Sequence, residues 1–100
     1  MFSESNNSSN DTLSVLLDIP GYRVARPIPY HVEIVDGETV AIDDEFDRYG
    51  TGTTLAQARI ALANQLSDYF DTLRGDVGSL AKCALRDYRR MVQYVSRIAA

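Results

Sequence analysis

The sequence predicts an α+β fold: a small antiparallel sheet of three to four strands in the order β-β-β-α, covered by one amphipathic helix, with a second helix at the C-terminus. Three observations carry this. Ile28, Tyr30, Val32 and Ile34 alternate with His31 and Glu33, the period of a half-buried strand. Asp36-Gly37 follows at once, the residue pair best suited to a two-residue hairpin. From Leu55 the apolar period lengthens to three and four residues, the repeat of a helix lying on a sheet.

The first ten residues are polar and turn-forming, without the basic and apolar regions of a signal peptide. They read as part of a disordered tail, 1–11, ahead of a single domain over 12–100 with its core in 22–75 and a C-terminal helix over 79–99. Thr12 to Asp18 is short and apolar, compatible with a strand or one helical turn, and Ile19-Pro20-Gly21 ends it as a turn. Tyr22 to Val35 reads as extended. Pro27 and Pro29 lack an N–H for a central ladder, so this part belongs at an edge or a strand start. Beyond the hairpin, Thr39-Val40-Ala41-Ile42 is the returning strand, with Val40 and Ile42 expected on the core face. Asp43 to Asp47 is an acidic loop holding one aromatic, Phe46, and Arg48 to Gly52 forms a third strand whose glycines permit a turn or a close approach.

Thr54 and Gln57 make a T-x-x-Q capping box, and Leu55, Ala58, Leu62, Leu66, Tyr69 and Leu73 form the stripe behind it. Gly75 and Gly78 break the chain, and Ser79 is placed to cap a second helix running to about Ala99. Its stripe is Leu80, Ala84, Tyr88, Met91, Val95 and Ile98, with Ala81, Leu85 and Val92 widening the apolar arc. That arc exceeds what one face of a small sheet needs, so Tyr88, Met91, Val92 and Val95 are expected to meet another copy of the chain in a dimer.

The apolar fraction of 45% in 100 residues supports a core without disulfides or metals, and the single cysteine, Cys83, cannot form an internal bridge. With no run of about 20 apolar residues, the chain reads as soluble, not membrane-bound, and cytoplasmic. Charge is uneven. Residues 1–50 hold three Arg against ten Asp or Glu, and residues 51–100 hold seven Lys or Arg against four Asp, for a net charge of −4. An acidic face of this kind steers a basic partner and argues against general nucleic-acid binding, which rests on cations meeting phosphates.

The chemistry-bearing residues are few. His31 is the only histidine and has no triad signature around it. Cys83 lies mid-helix among alanines, as a small buried hydrophobe would. Asp43, Asp44, Glu45 and Asp47 lack the alternating spacing of a calcium loop. Gly50 and Gly52 precede a helix, but neither a dinucleotide fingerprint nor a P-loop lysine follows. Lys82, Arg86, Arg89, Arg90 and Arg97 make the last helix basic against Asp87 alone, the one feature that could touch nucleic acid. No catalytic residue, metal site or cofactor is expected.

Pro29 to Leu73 resembles the HicB-like antitoxin domain. The residues that carry the likeness are Asp36-Gly37 in the hairpin, Tyr49-Gly50 in the third strand, and Gly52, Thr54, Gln57 and Ala58 at the helix start, where the family has G-x-T-x-x-E-A. Asp44-Glu45-Phe46 stands where the family often has a P-E-L segment, Gln57 replaces the usual glutamate, and Thr12 to Arg26 is additional. The resemblance implies a partial ribonuclease-H-like fold without nuclease carboxylates, and a protein that binds and neutralises a small, basic, RNA-cleaving toxin, commonly as a dimer. The partner contact is then expected at Asp43, Asp44, Glu45, Phe46, Asp47 and Tyr49, with Phe46 as the apolar anchor. An acidic inhibitor or adaptor on the same plan, with no toxin partner, is the alternative.

Overall fold

The computed structural model describes residues 14–98; the expected tail, 1–11, lies outside them. The fold is α+β. Its centre is a three-stranded antiparallel meander of β4 (His31–Val35), β5 (Glu38–Asp43) and β6 (Arg48–Gly52), in that spatial order, followed directly by helix α1 (Leu55–Gly75). The expected β-β-β-α arrangement is therefore present. The hairpin between β4 and β5 turns at Asp36 (φ 52°) and Gly37 (φ 82°), the two positive φ angles of a type I′ turn.

Two small antiparallel ladders close the ends of the chain around this unit. Strand β1 (Val15–Leu16) pairs with β3 (Ile28–Pro29), which settles Thr12 to Asp18 as extended where the structure describes it. Strand β2 (Tyr22–Val24) pairs with β7 (Val95–Arg97), Val24 opposite Val95 and Tyr22 opposite Arg97. The backbone N–H groups of Ala25 and Arg26 donate to the carbonyl of Tyr94, and that of Ile98 donates to Gly21, so the last described residues are held to the segment around β2 by main-chain bonds.

Helix α1 begins as its capping residues dictate. The Thr54 hydroxyl accepts from the Gln57 N–H at 3.1 Å. Gln57 Oε1 reaches back one residue further than a standard capping box, accepting from the backbone N–H and the hydroxyl of Thr53 at 2.9 and 2.8 Å. The buried side is Ala58, Leu62, Ala63, Leu66, Phe70 and Leu73. Phe70, not Tyr69, belongs to the fully buried stripe, and Leu55 is exposed.

The second helix, α2, spans Lys82–Tyr94 and is shorter than the predicted 79–99. Ser79 lies in a 3-10 turn, Val77–Ser79, and makes no helix cap; Ala81 precedes the first turn instead. The chain becomes extended at Val95 because its backbone joins the ladder with β2. Met91 and Val95, each only 3% exposed, are thereby core residues of one chain, and Tyr88 packs against the same core. Of the four expected dimer contacts only Val92 is exposed. The inner row of α2 is thus taken up by the core of the same chain, while Val92 and Ala81 of the widening row are exposed and Leu85 is half-buried. Cys83, expected to be buried, is exposed. Among the described residues no helix is long and apolar enough to cross a membrane.

The faces of β5 are reversed from expectation. Ala41 and Asp43 are fully buried toward α1, while Val40 and Ile42 are half-buried on the other side. The cause lies in β6. Gly50 pairs with Ala41, and a Cβ on Gly50 would stand 2.1 Å from the Leu62 nitrogen and 2.6 Å from the Ala58 carbonyl oxygen; one on Gly52 would stand 2.5 Å from the Gln57 Cβ. Helix and strand touch backbone to backbone, so only small residues fit this layer, and the larger Val40 and Ile42 must face outward.

A candidate partner-binding face

The side of the meander turned away from α1 has no element covering it among the described residues. Strand register sets its rows: Tyr49, Ile42 and His31 lie across the three strands, then Thr51, Val40 and Glu33, then Val35 and Glu38. Tyr49 is 63% exposed and Val35 49%, so an apolar centre of Tyr49, Ile42, Val40 and Val35 faces solvent.

Acidic groups surround it. Glu33, Asp36, Glu38, Asp44 and Asp47 are all exposed. The one arginine on these strands, Arg48, is turned away: its guanidinium lies 4.1 Å from the centroid of the Tyr69 ring and its Nε donates to the Phe46 carbonyl at 3.2 Å. His31 is flanked by two carboxylates, Glu33 at 3.2 Å from Nε2 and Asp44 at 3.3 Å from Nδ1. These take opposite ring nitrogens, which keeps the three from converging on one ion, and among the described residues no group of His, Cys, Asp and Glu is placed to hold a metal.

The loop expected to make the contact divides. Asp43 is the last residue of β5 and fully buried. Its Oδ1 accepts from the Glu45 N–H at 2.9 Å and its Oδ2 from the Phe46 N–H at 3.0 Å, so it folds the loop back on itself. Burial pushes its carboxyl up to about 6, the two backbone donors pulling in the opposite direction. Phe46, expected to be an exposed anchor, is 1% exposed and meets Phe70 and Tyr94 edge to face at 5.0 and 6.0 Å. The Asp43 turn is what delivers that ring inward. Glu45 is half-buried and bonds Arg90 of α2 at 3.0 Å. Only Asp44, Asp47 and Tyr49 of the six expected residues are exposed, Asp44 beside His31.

The structure adds Val40, Ile42, His31, Glu33 and Glu38 to that face. The signal for them in the sequence is the small-residue register of Ala41, Gly50, Gly52 and Ala58, which marks the covered side and so leaves Val40 and Ile42 on the open one. No family model matches the chain, and searches of curated proteins and of solved structures return no match to it.

Proposed function

We propose that the protein is a non-catalytic binding module that takes a small basic protein onto the open face of its three-stranded sheet, as a HicB-like antitoxin takes and neutralises an RNA-cleaving toxin in the cytoplasm. The observation that carries this is the composition of that face: an apolar centre led by Tyr49, ringed by five exposed acids, with the sole arginine of β4, β5 and β6 facing elsewhere. Exposed aromatics at the centre of a patch supply affinity, and a rim of one sign speeds and selects encounter with the opposite sign. The antitoxin reading adds the β-β-β-α order and the Gly52, Thr54, Gln57 and Ala58 motif at the start of α1. It is supported by this resemblance and by the charge of the face.

Co-expression with a small basic protein of the RNA-cleaving toxin class, followed by calorimetric titration, tests the proposal. Reversing Glu33 and Asp44 to lysine is expected to weaken binding about tenfold or more at low salt, with a shallower salt dependence. Unchanged affinity and salt dependence in that double variant would place the contact elsewhere.

A further inference from the structure

We propose, resting on the reading of the sheet as a docking surface for a basic protein, that the free edge of β6 takes an extended, lysine- or arginine-bearing segment of that partner as a fourth strand. Main-chain register identifies the free groups. The two-residue turn at Asp36-Gly37 makes Val35 and Glu38 a hydrogen-bonded pair, and such pairs alternate with non-bonded ones along an antiparallel ladder. Across β5 and β6, which pair in unbroken register, Arg48, Gly50 and Gly52 therefore bond to β5. Tyr49, Thr51 and then Thr53 turn their N–H groups outward. That of Thr53 is taken by the Gln57 side chain at 2.9 Å. Those of Tyr49 and Thr51 have no acceptor among the described residues.

The opposite edge of the sheet is already in use where it begins. Just ahead of β4, the outward N–H of Tyr30 donates to the Ser14 carbonyl at 3.1 Å. An open edge is ordinarily guarded by lysine, proline or a bulge, and β6 carries none of them. Its one charge, Arg48, is stacked on Tyr69, and Tyr49 and Thr51 are exposed, so the edge is reachable from solvent. In strand addition the main-chain bonds supply affinity and alternate side chains supply specificity. A strand added here lengthens the rows of the open face that end at Tyr49 and Thr51. Charge selects the occupant: Asp47 stands at the head of β6, and Glu33, Asp36, Glu38 and Asp44 are exposed on the sheet it extends. Lysine or arginine at alternate positions meets opposite charge there, and glutamate meets like charge.

Amide hydrogen exchange on the full chain, read by NMR with and without a peptide of about eight residues alternating lysine and valine, tests this. Exchange at Tyr49 and Thr51 is expected to slow about tenfold or more on binding. A glutamate–valine peptide of the same length should bind at least about tenfold more weakly. Thr51→Pro removes an outward donor without touching the β5 ladder and should weaken peptide binding about tenfold, while Thr51→Val, which keeps the donor, should bind as the native chain does. Exchange unslowed at both amides, protection at Val32 and Ile34 in their place, equal affinity for the two peptides, or native binding by T51P overturns the proposal. If T51P does not fold, the exchange pattern of the native chain decides. A toxin-class basic protein that binds while the Tyr49 and Thr51 amides stay unprotected overturns strand addition alone; peptide capture at β6 with no toxin-class protein bound overturns the toxin reading alone.

Discussion

Phe46 meets Phe70 edge to face, with ring centroids 5.0 Å apart and planes at 76°. This contact fastens the loop after β5 to the C-terminal part of α1. Tyr22 reaches the other side of Phe70 at 5.6 Å and Tyr94 reaches Phe46 at 6.0 Å, so the N-terminal ladder and α2 converge on the same pair. Truncation of Phe46 to alanine is expected to cost about 3–5 kcal/mol, the range for a buried phenylalanine. Urea denaturation followed by circular dichroism measures it. A loss below about 1 kcal/mol would mean that the ring is not a core residue.

The close approach of β6 and α1 makes a sharper prediction. At Gly50 an added Cβ meets backbone atoms at 2.1 and 2.6 Å, which cannot rotate away. Gly50→Ala should therefore destabilise by about 3 kcal/mol or more, the upper end for overpacking. At Gly78 nothing lies within 4 Å of such an atom, and Gly78→Ala should shift stability by no more than about 1 kcal/mol. Thermal midpoints of the two variants, measured side by side, check the contrast.

Asp43 should make stability depend on pH in an unusual direction for a carboxylate. Its folded value of about 6 stands above its ordinary 3.8, with burial as the leading cause. The folded state therefore holds the proton more tightly than the unfolded chain. The stability from this group is fully present below about pH 4 and is lost as pH rises through about 6. Asp43→Asn should remove that fall between pH 4 and 6, while leaving one of the Glu45 and Phe46 N–H donors without its acceptor, at a cost of about 1–3 kcal/mol. Denaturation of both proteins at pH 4, 5, 6 and 7 tests the sign; parallel curves would contradict it.

Tyr22 and Tyr69 offer a check on how α1 is held at its sides. Burial, followed by hydrogen bonds to Asp71 and Asp87, pushes both phenols up to about 12. Both should remain protonated at pH 11 in the folded protein. Tyrosinate absorbance across an alkaline titration follows this, and Tyr22→Phe and Tyr69→Phe should each remove one late-ionising phenol. The stability these groups confer is present below pH 10 and lost as pH rises through about 12.

What could be read from the sequence was the part decided by neighbours along the chain. Asp36-Gly37 sets its own turn, and Thr54 with Gln57 caps a helix whatever lies around it. The long periodic stripe of α1 was legible for the same reason, apart from the exchange of Tyr69 for Phe70. The face of β5 was not, because alternation favours the larger apolar residues, Val40 and Ile42, and the side that packs is chosen by Gly50 and Ala58 on other elements. The end of α2 was hidden likewise. Val95 continues a helical pattern locally, and what makes it extended is Val24, far back in the chain. Phe46 read as exposed because its neighbours are acidic; the buried Asp43 carboxylate, by accepting two backbone N–H groups, turns the ring inward.

The most direct test of the proposed binding face is an amide NMR titration of the isotopically labelled full chain with a small basic protein of the proposed class. The predicted result is shifts concentrated at His31, Glu33, Val40, Ile42, Asp44 and Tyr49, with Phe46 and Phe70 unaffected, and at least about tenfold weaker binding by Tyr49→Ala at an unchanged thermal midpoint. Shifts confined to α2, or native affinity in Tyr49→Ala, would contradict it.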